Sequence, residues 1–183
     1  MSATAWLGPP GDTLGYPVPI QRFVARTNQA VVALQHVVAF TEGCSFTLHL
    51  AVRRDSLDES VWAGLVESHF GGDPEVTQTE GDLKFGVRFP DGATATTVDH
   101  PFHGWAHPTD RPEPPMLTEA GGESSSSDRS YQGHRQLWLW PLPPPGPFEF
   151  VIEWHNMGID TTSIVVDGTA IARAAEQAQP YWP

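Results

Sequence analysis

Apolar and polar residues alternate one for one in three stretches of the chain. In the first, Cys44, Phe46, Leu48, Leu50 and Val52 fall on one side, with Ser45, Thr47, His49 and Arg53 on the other. In the second, Leu83, Phe85, Val87 and Phe89 oppose Asp82, Lys84 and Arg88. In the third, Phe148, Phe150, Ile152 and Trp154 oppose Glu149, Glu153 and His155. Side chains of a strand point to opposite faces in turn, so this pattern predicts antiparallel strands with one buried and one wet face. Pro90-Asp91-Gly92 is a turn signal after the second stretch, and the threonine-rich residues that follow complete a hairpin over 82–98.

Further strands are expected over 20–25, 30–40, 136–140 and 163–167. Residues 30–40 are apolar on both faces apart from Gln35 and His36, a pattern that also suits a helix. The valines at 31, 32, 37 and 38 decide for a central strand, with Thr41-Glu42-Gly43 as the turn out of it. Leu137-Trp138-Leu139-Trp140 has no polar face, so something must cover it on each side. One short helix is expected near 57–70, where Leu57, Val61, Trp62, Leu65 and Val66 recur at helical spacing behind a Ser56–Glu59 capping box. A C-terminal helix is expected near 169–178, ended by Pro180.

The order of these elements predicts an all-β fold, an antiparallel β-sandwich of the immunoglobulin-like kind with Greek-key-like connections, with a closed barrel as the alternative. Residues 1–19, interrupted by Pro9, Pro10, Pro17 and Pro19, read as a Pro/Gly-rich arm. Residues 20–183 read as one sandwich domain. Within it, residues 99–130 hold five prolines, three glycines and five serines and keep no period of two or 3.6, which reads as a long flexible loop.

Composition agrees. Seventeen glycines and eighteen prolines in 183 residues argue against a mostly helical protein, and seven tryptophans with nine phenylalanines supply a core. A net charge of −12 with arginines scattered from Arg22 to Arg173 disfavours nucleic acid and anionic membranes. No apolar run approaches the length of a membrane span, about eighteen residues or more. The opening residues lack the basic and apolar regions of a signal peptide. The single cysteine, Cys44, forbids an internal disulfide, and its place in an alternating run makes it a buried, inert thiol. These features give a cytoplasmic protein as the expectation.

The run from Leu137 to Trp154, with its Trp-Pro-Leu-Pro-Pro-Pro-Gly-Pro turn, resembles a group of actinobacterial proteins of uncharacterised activity. The Phe85-Gly-Val-Arg-Phe-Pro-Asp-Gly hairpin and the closing Ile-Ala-Arg-Ala-Ala element share that likeness. It spans roughly residues 18–183 and holds no catalytic motif. It implies an intracellular all-β domain whose tryptophans and proline turn are structural.

Candidate chemistry is sparse. Asp99, His100, His103, His107 and Asp110 crowd one segment, and imidazole with carboxylate suits zinc or a similar divalent ion, so His100, His103 and His107 are the candidate metal ligands. There is no Gly-x-Ser-x-Gly elbow and no phosphate-binding glycine loop, so no organic cofactor is expected. Glu149 and Glu153 share a wet face without a cleft to flank. Trp6, Trp105, Tyr181 and Trp182 lie in terminal or loop segments among prolines, where an aromatic either folds back or meets a partner. The reading is a non-enzymatic module for protein binding or assembly, with a protein partner or a second copy as its ligand. A metal-binding protein or metal-dependent enzyme using the histidines is the alternative. Carbohydrate recognition through Trp105 is a further one.

Overall fold

The computed structural model describes residues 5–55, 57–67, 80–98 and 111–183. Two antiparallel sheets face each other. The larger has the order β2 (Tyr16–Arg26), β3 (Ala30–Ala39), β4 (Cys44–Arg53), β8 (Ser130–Trp140) and β7 (Met116–Ser126). The smaller has the order β10 (Ile159–Asp167), β9 (Pro147–Trp154), β5 (Lys84–Arg88) and β6 (Thr94–Thr96). A two-stranded ribbon joins β1 (Thr13–Leu14) to β11 (Gln179–Pro180), and two helices, α1 (Glu59–Glu67) and α2 (Gly168–Ala175), complete the order. The chain changes sheet between β4 and β5, between β6 and β7, and between β8 and β9. This is the antiparallel β-sandwich that alternation implied, and no helix among the described residues is long and apolar enough to cross a membrane.

The three alternating stretches supply the interior. Phe46 of β4 stacks on Phe150 of β9 with centroids 5.2 Å apart, and Phe85 of β5 meets the same ring at 6.3 Å. Phe148 bridges Phe46 and Phe89 at 6.4 and 5.3 Å. Each buried ring contributes about 1.5–3 kcal/mol by leaving water. Residues 30–39 form a strand with Val32, Leu34 and Val37 fully buried on the inner face.

The all-apolar end of β8 is covered on both sides, as its sequence required. Leu137 and Leu139 join the main core, while Trp138 and Trp140 face outward into a second cluster with Phe40, Met116 and Ala5. Trp138 Nε1 donates to the Ala5 carbonyl at 2.9 Å, Phe40 meets Trp138 edge-on at 5.8 Å, and the Arg111 guanidinium lies 4.9 Å over Trp140. Gly15 passes so close to this cluster that a Cβ there would stand 2.5 Å from Val38 and 2.6 Å from Phe40. The expected arm over 1–19 is therefore corrected: Ala5, Trp6 and Gly15 pack against the outer face of the larger sheet, Thr13–Leu14 pairs with β11, and Tyr16 to Pro19 belong to β2. Pro17 and Pro19 fit there because β2 is an edge strand.

The expected loop over 99–130 is corrected as well. Residues 99–110 lie outside the described residues, but Met116–Ser126 is an eleven-residue strand and Ser130 begins β8. Only Met116, Leu117 and Thr118 of β7 are buried, so most of that edge strand has no hydrophobic face for a period of two to reveal. Its hairpin closes on Ser127, whose Oγ accepts from the Arg129 and Ser130 amides.

Both helices appear: α1 runs from Glu59 to Glu67, where the described residues break off, and α2 is shorter than its apolar stripe suggested. In α1, Trp62 and Leu65 are buried, and Arg54 lies 5.8 Å over the Trp62 ring. Glu59 pairs with the Arg54 guanidinium, and Ser56, the other half of the expected capping box, lies outside the described residues. In α2, Asp167 caps the Thr169 amide at 2.9 Å, and Ile171, Ala174 and Ala175 close the end of the sandwich. The helix stops at Ala175 because Gln177 and Ala178 tighten into three-residue turns and Gln179 pairs with β1.

Candidate functional site

The outer face of the larger sheet is divided by its strands into two parts. One end carries the tryptophan cluster just described. The other is built on two bulges at the same level: β2 shifts register between Pro19 and Arg22, and β3 shifts between Leu34 and His36. Gln21 in the first bulge holds φ at +51°, a conformation costing on the order of 1–3 kcal/mol for a residue with a side chain. The opposed bulges open a hollow of about 750 Å³ lined by Pro17, Pro19, Phe23, Ala33, Gln35 and His36, among others. Phe23 stands half exposed at its edge with the Arg26 guanidinium 4.4 Å over its ring. Arg22 is engaged elsewhere, its Nη1 donating to the Val165 carbonyl at 3.1 Å and tying β2 to β10.

Across the sheet from this hollow the register runs Ala33, His49, His134, Glu123 on β3, β4, β8 and β7. His49 Nδ1 and His134 Nε2 lie 3.3 Å apart, with ring centroids at 4.9 Å and planes at 56°. Partial burial, and after it the charge of His134, hold the His49 imidazole below its ordinary pKa. Two ring nitrogens at this separation are within hydrogen-bonding distance, one donating and the other accepting according to tautomer.

Among the described residues, Cys44, Glu149 and Glu153 are already occupied by burial or by pairing. Cys44 is fully buried, and desolvation pushes its thiol far above the ordinary range, so it offers no thiolate. On the wet face of the smaller sheet, Glu149 pairs with Arg88 at 3.0 Å and accepts from Ser163 at 3.2 Å. Glu153 pairs with Lys84 at 3.3 Å and accepts from Thr161 at 2.8 Å. These hydrogen bonds, Thr161 first and Lys84 next, lower the Glu153 pKa. Each carboxylate is a rung in a cross-strand ladder.

The residues singled out by sequence part company. His100, His103, His107 and Trp105 lie outside the described residues. Trp6 folds back, meeting Trp140 edge-on at 6.0 Å as part of the outer cluster. Tyr181 and Trp182 stand exposed beyond the ribbon, where the Tyr181 amide donates to the Asp12 carbonyl at 2.8 Å. Among the described residues no group of three or more His, Cys, Asp or Glu is placed to hold a metal ion. Sequence reasoning missed the His49–His134 pair, since 85 positions separate its members and the β4–β8 pairing that joins them skips three intervening strands. The one legible signal was His49 on the wet side of an alternating stretch. No protein-family model, curated protein or solved structure matches the chain.

Proposed function

We propose that this chain is a non-enzymatic β-sandwich module that binds a protein partner through its terminal ribbon, in a cytoplasmic setting consistent with a single, buried cysteine. One observation carries the reading: Leu14, Tyr16, Tyr181 and Trp182 stand exposed on or beside the β1–β11 ribbon, Trp182 at 77%. Register places Leu14 and Tyr181 as diagonal neighbours on one face, because Asp12 comes opposite Tyr181. Large aromatic and aliphatic side chains held out by a hydrogen-bonded scaffold are the usual anchors of protein interfaces, and they are ordered before binding, which lowers its entropic cost. The net charge of −12 favours a partner with a basic rim over a second, equally acidic copy.

The test is affinity capture from native extract with the full chain and with the Leu14→Asp/Trp182→Ala variant, beside light scattering of the purified protein over a range of concentrations. A stoichiometric companion held by the native chain and lost by the variant supports the reading. Equal capture by both, or none with either and a monomer throughout, overturns it.

A further inference from the structure

We propose that His49 and His134 form a two-imidazole site for a divalent transition-metal ion, on the outer face of the larger sheet beside the β2–β3 hollow. The geometry of the donors carries this. Zinc–imidazole bonds of about 2.0–2.1 Å at tetrahedral angles require two ligand nitrogens about 3.3–3.4 Å apart. His49 Nδ1 and His134 Nε2 stand at 3.3 Å. The two residues are directly paired in register on β4 and β8, the third and fourth strands of a five-stranded sheet, so the backbone that sets their spacing is fixed by ladder hydrogen bonds on both sides. Donors carried on rigid strands lose little freedom on closing round an ion.

The donor set also selects the ion. Two neutral imidazole nitrogens suit zinc, nickel or copper, and poorly suit magnesium or calcium, which want oxygen. Glu123 of β7 is the in-register neighbour of His134, but no third histidine, cysteine or carboxylate is placed to complete the set among the described residues, so the protein supplies two ligands and leaves the other positions to water or to a donor from outside. On the β3 side the in-register neighbour of His49 is Ala33, a small residue that also lines the hollow. A molecule seated in the hollow can therefore offer its own oxygen or nitrogen to the ion without displacing a bulky side chain.

The experiment separates the two sets of histidines. In full-length protein carrying His100→Ala, His103→Ala and His107→Ala, zinc is titrated calorimetrically at fixed neutral pH, and imidazole nitrogens are followed by long-range proton–nitrogen NMR. One equivalent of zinc is expected, with His49 Nδ1 and His134 Nε2 shifting together. Affinity should fall about tenfold or more in His49→Ala and in His134→Ala, with circular dichroism unchanged. Magnesium should not compete. The proposal is overturned if zinc binding is the same when both histidines are replaced. It is overturned equally if their nitrogen resonances stay put at saturating zinc, or if magnesium competes on equal terms. In the last case the ion is held by net negative charge alone.

Discussion

Glu153 shows how much a single half-buried side chain is tuned by its strand neighbours. Its carboxylate accepts from Thr161 and Lys84 with His155 Nδ1 3.7 Å away, and its pKa is lowered in the folded chain. A carboxyl whose pKa is lower folded than unfolded adds stability above its unfolded value, about 4.3, and that contribution is lost as pH falls through the folded value. Stability measured by urea unfolding from pH 7 down to pH 3 should therefore decline below about pH 4.3 less steeply in Glu153→Gln than in the native chain. Equal slopes would show that the ladder leaves no imprint on folding. At Gly168 the constraint is space. A Cβ there would sit 2.5 Å from the Gly146 carbonyl and 2.6 Å from that of Pro144, both backbone atoms of the proline turn, which also exchanges hydrogen bonds with the start of α2. Gly168→Ala should cost about 1–3 kcal/mol in the same assay, because neither neighbour can move as a flexible side chain would. Alternation in the sequence placed Glu153 on the wet face. It could not supply Lys84, 69 positions away, or the turn that crowds Gly168.

Elements were legible where burial is one-sided and obscure where it is not. β4 and β9 bury alternate residues over most of their length, β5 buries Phe85 and Val87 with Gly86 between them, and all three were read with nearly their true bounds. β7 buries three residues at one end and then runs on as glycine and serine with both faces open, so its strand character comes from the β8 ladder and leaves no periodic trace. The segment before β1 failed for the opposite reason. Its structure is imposed by Trp138 and Trp140, which announced a covering layer without saying which residues supply it. The Trp138 Nε1 bond to the Ala5 carbonyl fastens that layer. Trp138→Phe retains most of the ring packing and removes the donor, so global stability should fall by only about 1 kcal/mol. Amide exchange over residues 5–15 should accelerate while the β3, β4 and β8 ladders keep their protection. Uniform acceleration across the sheet would mean that the covering segment is integral to the sandwich and not a fastened layer.

For the whole molecule, the two sheets are joined chiefly through side chains, because the strands of one never pair with those of the other. Cohesion therefore concentrates where rings from both sheets interlock, at Phe46, Phe85, Phe148 and Phe150. That interior was written in the sequence as a period of two. The outer-face hollow and the histidine pair depend on bulges and on a non-sequential strand order that no local pattern encodes. The same division predicts how substitutions behave. Phe150 is fully buried and touches rings from both sheets, so Phe150→Ala should cost about 3–5 kcal/mol and lower the urea midpoint without changing the dependence on denaturant. Phe23, at 54% exposure on the hollow's edge, gives up little hydrophobic burial when truncated, and Phe23→Ala should stay within about 0.5 kcal/mol. A large loss at Phe23 would show that the hollow's rim is structural, and that its bulged strands depend on the ring and not only on the β3 ladder.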